Sequence, residues 1–172
     1  MTLNFFVDNH KDYKVQFSKG EAVKELKKDP RVAKITTTPL SMTIITIPII
    51  PKCQENIHNR VVGTYKIEIG YKLRKISHKV TRIQGRLQHF SNRDQHTHIM
   101  SGGHICWGNV EYEIKIISNK KDWYWLVKRC LDLIYNFDEG TEYNHCVERQ
   151  ITELANDYDD KMGVKRKYDT YN

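Results

Sequence analysis

Long apolar runs are missing from this chain. In its 172 residues the longest, over 42–50, is interrupted by threonines and Pro48, and it falls well short of the ~20 apolar residues that a membrane-spanning helix requires. The N-terminus has no basic stretch followed by an apolar one, so no secretory leader is expected. Cys-x-x-Cys pairs are absent too. Cys53, Cys106, Cys130 and Cys146 stand at long, irregular intervals, which excludes a four-cysteine zinc ribbon and points to reduced thiols in a cytoplasmic protein. Gly-x-Ser-x-Gly, P-loop and Gly-x-Gly-x-x-Gly signatures do not occur. The usual grounds for a serine hydrolase, a P-loop enzyme or a dinucleotide-binding enzyme are therefore lacking.

What remains reads as one globular domain. The chain is 39% hydrophobic and 28% charged, enough apolar material for a core at this length. We expect a single domain over residues 1–160 and a basic tail over 161–172. The formal net charge is +7, much of it on Lys72, Arg74, Lys75, Lys79, Arg82, Arg86 and Arg93, with Lys165-Arg166-Lys167 adding a late cluster. Such a surface attracts an acidic protein or a nucleic acid. A solvated strand face with a basic tail accounts for it more simply. The absence of a recognition helix or an RNA-binding aromatic motif speaks against nucleic acid.

Periodicity gives the element order. Ser18 and Glu21 fit a capping box that opens a short helix, with Ala22, Val23 and Leu26 on its apolar face and Asp29-Pro30 ending it. Residues 3–17 have room for a short strand or two. The segments 31–37 and 41–50 are rich in Ile, Val and Thr, as strands are. Polar residues over 51–60 read as a loop. The segment 61–71 predicts a strand with Val61, Tyr65, Ile67 and Ile69 on one side, and 79–90 a weaker one. Alternation over 110–117, with Val110, Tyr112, Ile114 and Ile116 against Glu111, Glu113 and Lys115, predicts a further half-exposed strand. Two helices close the chain. Asp122 caps the first, whose apolar face is Trp123, Leu126, Val127, Cys130, Ile134 and Phe137, with Gly140 beyond its end. The second carries Tyr143, Val147, Ile151, Leu154 and Tyr158. Segregated strands and helices of this kind indicate an α+β fold, with helices packed on an antiparallel sheet.

Chemistry concentrates in one segment. Gln95-His96-Thr97-His98-Ile99-Met100-Ser101-Gly102-Gly103-His104-Ile105-Cys106-Trp107-Gly108-Asn109 places three histidines and a cysteine within eleven residues, around a Gly-Gly turn. A cysteine beside a glycine turn suits nucleophilic acyl transfer, because thiolate is a strong nucleophile and glycine lets backbone approach a ligand. His96, His98, His104 and Cys106 also form a possible zinc set, since zinc accepts imidazole and thiolate in a tetrahedral site. Their spacing matches no standard zinc finger. Cys106 as a buried core thiol is a third reading, because free cysteine is among the most buried residue types. Cys130 and Cys146 read as structural, and Cys53 as an exposed loop residue. The late acidic residues Asp157, Asp159 and Asp160 read as a solvated helix end.

The chain resembles the ubiquitin-conjugating enzymes and their relatives, the RWD domains. Family members run helix, β-meander, long loop, helix, and active ones carry His-Pro-Asn ahead of a catalytic cysteine set in Gly-x-Ile-Cys-Leu. Here His96 and Cys106 lie the family's ten residues apart, and Gly103-His104-Ile105-Cys106 fills the Gly-x-Ile-Cys places. Val23-Lys24-Glu25-Leu26-Lys27-Lys28-Asp29-Pro30 resembles the end of the family's first helix, and Val62-Gly63-Thr64-Tyr65-Lys66-Ile67-Glu68-Ile69 its glycine-led strand. Trp123 and the helix after it resemble the post-cysteine tryptophan and helix. Thr97 and His98 stand where the family has proline and asparagine, and Trp107-Gly108-Asn109 replaces the usual Leu-Asp, a pattern closer to divergent prokaryotic or viral members. The resemblance spans about residues 18–140. It implies a thioester of a ubiquitin-like protein on Cys106, loaded by an activating enzyme and passed to an amine. It places His98 where the family's oxyanion-supporting asparagine stands and His96 as a brace of the loop, and Asn109 is a second candidate donor. A JAB-type protease is a further companion it implies, with no cofactor and no membrane. A non-catalytic RWD-like interaction module with Cys106 buried is the alternative within the same fold.

Overall fold

The computed structural model describes residues 16–52, 59–72, 74–83, 98–99, 102–136 and 144–164. Among them the chain runs α1 (Lys19–Leu26), β1 (Val32–Thr38), β2 (Ser41–Thr46), β3 (Tyr65–Lys72), β4 (Lys75–Arg82), a 3-10 turn (Gly108–Val110), α2 (Glu111–Asn119), α3 (Trp123–Tyr135) and α4 (Asn144–Met162). The strands form one antiparallel sheet in the order β1-β2-β3-β4, a meander whose first and last connections are two residues long and whose middle one runs over 47–64. The α+β expectation holds. The expected strands over 3–17 lie almost wholly outside the described residues, as do Phe137, Gly140 and Tyr143 and the basic cluster at 165–167.

Strand alternation decides which face is buried. Met42 pairs with Ile69 and Ile69 with His78. Ile44 pairs with Ile67 and Ile67 with Val80. Tyr65 pairs with Arg82, and its backbone N–H donates to Thr46 Oγ1 at 2.9 Å. These three rows make the inner face, because residues two apart on a strand share a side. The opposite rows carry Thr43, Glu68 and Lys79 or Ile45, Lys66 and Thr81. Helix α3 covers the inner face at β3, α1 and α2 flank α3, and α2 reaches β4. Leu126, Val127, Cys130, Leu131 and Ile134 of α3 join Ala22 and Leu26 of α1 in one apolar core. Burying one such side chain is worth roughly 1.5–3 kcal/mol.

Caps and ion pairs fasten the helices. Ser18 and Glu21 exchange capping-box bonds, with Ser18 N–H to Glu21 Oε2 at 2.8 Å and Glu21 N–H to Ser18 Oγ at 3.3 Å. Asp122 caps α3 through Trp125 N–H at 3.2 Å. Asp29 accepts from Arg31 and from Lys128 of α3, each at 2.8 Å on Oδ2. Burial pushes the Asp29 carboxyl up, but these cations outweigh it and hold the group well below the usual carboxylate range. At the far end, the Arg82 side chain is fully buried. It donates to Val62 O at 2.7 Å, Leu154 O at 2.8 Å and Asp157 Oδ2 at 2.8 Å. Asp157 and Asp159 are therefore not a plain solvated helix end. Arg82 and Arg60 pair with them and tie α4 to the rest of the domain.

Four expectations need correction. The alternating segment over 110–117 is a 3-10 turn and a helix, not a strand. A helix buries Ile114 and Ile117, three apart, and leaves Tyr112 76% exposed. It also sets Glu113 against the buried Arg129 of α3 at 2.6 Å and pairs Glu111 with Lys115 one turn on. A strand would set Glu111 and Lys115 about 13 Å apart, out of reach of each other. The strand expected over 41–50 stops at Thr46, since Pro48 lacks the N–H that a ladder needs. The last strand begins earlier than expected, at Lys75, and is described to Arg82. Finally, Val62 rather than Val61 is buried, because Gly63 leaves the strand to bridge with Ile49.

Candidate functional site

The segment singled out by its histidines and cysteine folds onto the free edge of β4. Ile99 and Ile105 form an isolated antiparallel bridge, and Cys106 N–H donates to His98 O at 2.9 Å. Ile99 is buried and Ile105 packs partly against the core. The apolar pair thus anchors the inner side of a small hairpin. His98 and Cys106 are the next pair along it, which sets them as cross-strand neighbours with Cβ atoms ~5 Å apart.

Glycine is required at the hairpin's tip. Gly102 and Gly103 have φ of 87° and 83°, in the left-handed region that L side chains rarely occupy. A Cβ on Gly103 would lie 2.6 Å from Val80 O and 2.6 Å from Lys79 Cγ. The close approach has a purpose. Gly103 O accepts Val80 N–H at 2.9 Å, a donor on the outward edge of β4 that would otherwise face away from the sheet. The turn therefore docks on the sheet through backbone.

A second anchor follows the cysteine directly. Trp107 Nε1–H donates to His78 Nε2 at 2.8 Å, and the two rings meet edge to face with centroids 5.2 Å apart. Indole N–H is only ever a donor, so His78 is the neutral tautomer with its proton on Nδ1. Burial first, and then the nearby His104, push the His78 imidazole down to about 4. His78 sits on the inner sheet face between Ile76 and Val80. Its place was readable from that two-residue spacing, but sequence did not single out His78, and it named Trp107 within the segment without giving it a role.

The expected site residues divide clearly. Cys106 is exposed, whereas Cys130 is buried in α3. Burial, then Asp132, push the Cys130 thiol well above its ordinary range. The core-thiol reading thus holds for Cys130 and fails for Cys106. His98 is half-buried opposite Cys106, and His104 is exposed on the turn. Asn109 falls in the 3-10 turn after Cys106, its side chain outside the described parts. His96 and Cys53 lie outside the described residues, and so does the Cys146 side chain. Among the described residues no three His, Cys, Asp or Glu side chains come close enough to hold a metal ion. Of the zinc set, His98, His104 and Cys106 are described, and they form no such group.

Fold and site together define a class: an α+β domain with a four-stranded antiparallel meander, carrying an exposed cysteine on a hairpin docked at the sheet edge. No protein-family model matches the chain, and no curated protein and no solved structure matches it. No helix among the described residues is long and apolar enough to cross a membrane.

Proposed function

We propose that this chain is a ubiquitin-conjugating-like transferase that carries a ubiquitin-like protein as a thioester on Cys106. The observation that carries the reading is the exposure of Cys106 on a hairpin braced by backbone and by its neighbour Trp107. A core thiol has no use for such bracing, while an acyl carrier needs its sulfur reachable and its backbone fixed. The element order supports it as well. A helix and an antiparallel meander precede the cysteine, and helices follow it, as in the conjugating enzymes and RWD domains that the sequence resembles.

In this reading Cys106 Sγ attacks the thioester carbonyl presented by an activating enzyme. The new C–S bond forms as the old one breaks, and the activating enzyme's thiolate leaves and takes up the proton lost by Cys106. An acceptor amine then attacks the carbonyl on Cys106. The oxyanion that develops takes a hydrogen bond from the His98 imidazole, its cross-strand neighbour, or from Asn109. Collapse breaks the C–S bond, forms the amide and returns the proton released by the amine to the Cys106 thiolate. His96 braces the loop. The partners are a ubiquitin-like protein and its activating enzyme, with a JAB-type protease as companion, in the reducing cytoplasm where a free thiol persists.

The test is a charging reaction with cognate activating enzyme, ubiquitin-like protein and ATP. We expect an adduct of one ubiquitin-like protein that reductant removes, absent in Cys106→Ala and reductant-resistant in Cys106→Ser. An adduct that survives in Cys106→Ala would sink the assignment and favour a non-catalytic interaction module.

A further inference from the structure

We propose that His78 is a positioning residue for Cys106, acting through the indole of Trp107. The proposal deepens the acyl-carrier reading, on which its reaction arm rests, though its geometric arm does not. Packing of Ile99, Ile105 and Trp107 against the core and a few directional contacts order the chain around Cys106. Two of the directional contacts, the Ile99–Ile105 bridge and the bond from Val80 N–H to Gly103 O, fix the hairpin's base and tip. Neither of these two reaches the C-terminal side of Cys106, where Trp107 packs partly against the core and its carbonyl accepts from Val110 N–H at 3.2 Å. There the chain leaves the hairpin and enters the 3-10 turn at Gly108, whose φ is 54°.

The bond from Trp107 to His78 adds a directional restraint from the sheet at that point. It joins the residue after Cys106 to the middle of β4, two residues from the strand position that receives the glycine turn. Cys106 is thus pinned from both sides onto one strand: Val80 through the turn and His78 through Trp107. The chemistry of the pair suits the task. An imidazole is a directional acceptor in a half-buried place, and its edge-to-face ring contact fixes the indole plane as well as its N–H. A purely apolar residue at 78 would fill the same volume beside Ile76 and Val80 and hold Trp107 less specifically. The inner face of the sheet is otherwise apolar at its centre, with Met42, Ile44, Ile67, Ile69 and Val80, so the imidazole stands out as chosen for its nitrogen.

The test compares His78→Leu, which removes the acceptor, with His78→Gln, which returns an acceptor at similar reach, and with Trp107→Phe, which removes the donor at little cost in shape. The first readout is amide hydrogen exchange at Cys106, whose N–H is protected by His98 O, with Ile67 and Leu126 as core controls. We expect Cys106 exchange to rise about tenfold in His78→Leu and in Trp107→Phe, no further in the double variant, and to return near the parental rate in His78→Gln. Core amides should keep their rates. Equal acceleration at Cys106 and in the core, or failure of glutamine to rescue, makes His78 an ordinary packing residue and overturns the proposal. Unchanged Cys106 exchange in Trp107→Phe also overturns it, even where His78→Leu does not fold. The second readout is discharge of the Cys106 thioester to a free amine, expected about tenfold slower in His78→Leu and restored in His78→Gln. If the parental protein forms no thioester, the acyl-carrier reading fails, while exchange still decides the role of His78.

Discussion

Two cysteines of this chain occupy opposite environments, and the contrast locates its chemistry. Cys130 lies on the inner face of α3, fully buried among Leu126, Val127 and Ile134. Its helix is capped by Asp122 and clamped by Arg129 and Lys128 to neighbouring elements. Cys106 sits on a hairpin with no long element of its own, exposed, and held by a glycine carbonyl, an isoleucine bridge and one indole–imidazole bond. The first region gets its order from apolar area. The second takes it from a few directional contacts to the sheet edge. A thiol placed in the first is inert packing. In the second it is reachable yet fixed.

The largest effect expected is in reactivity. Site-resolved mass spectrometry after brief alkylation with iodoacetamide should show Cys106 modified and Cys130 protected, with rates differing by about a thousandfold or more, since Cys130 reacts only through opening of the core. Comparable rates would erase the comparison. Next comes the clamp on α4. Asp157→Ala removes a carboxylate from the buried guanidinium of Arg82, at a cost of about 3–5 kcal/mol in urea unfolding. Its effect belongs to the scaffold, so Cys106 in the folded variant should alkylate as before. Gly103→Ala strikes the other region. Its Cβ meets backbone at Val80 O, 2.6 Å away, at a φ of 83°. Strain and displacement together predict a loss of about 3 kcal/mol, with faster exchange of the Val80 amide.

Acidity separates the regions further. The His78 imidazole is held down to about 4 by burial and then by His104, against an ordinary value of 6.5. The folded protein therefore binds fewer protons here than the unfolded chain between those values. Stability from this group is fully present above pH 6.5 and is lost as pH falls toward 4, by on the order of 3 kcal/mol. Guanidinium titrations at pH 7 and pH 4.5 should show a smaller acid loss in His78→Gln than in the parental protein. Identical losses would mean that His78 does not carry a buried neutral imidazole.

Much of the scaffold was legible because its signals are local and redundant. Ser18 with Glu21, Asp122 ahead of an apolar stripe, and the Ile-Thr alternation of β2 each point one way, and the element types follow. The segment over 110–117 misled because Val110, Tyr112, Ile114 and Ile116 alternate while Ile114 and Ile117 also sit three apart. The pattern fits both periods, and only the partners Arg129 and Lys115 choose the helix. At the site, Cys106 and the glycine turn could be read from spacing. His78 could not be tied to Trp107, because the bond spans 29 residues and depends on how the chain returns to β4. Nor does the sequence distinguish a thiol that ends on the surface from one that ends in the core, since that is decided by the tertiary neighbours of each.

The smallest effect expected sharpens the comparison most closely, because it sets two adjacent glycines against each other. Gly102 has nearly the same φ as Gly103, 87° against 83°. Its added Cβ would meet nothing nearer than His104 Cδ2 at 3.7 Å, an ordinary contact. Gly102→Ala thus incurs the left-handed strain alone, about 1–2 kcal/mol, with no clash against the sheet. The bond from Val80 N–H to Gly103 O should survive, so Val80 exchange should rise only in proportion to the global loss. If Gly102→Ala and Gly103→Ala unfold at the same denaturant midpoint and release the Val80 amide alike, then backbone strain alone governs the turn. The docking of Gly103 on β4 would then contribute nothing to how Cys106 is held.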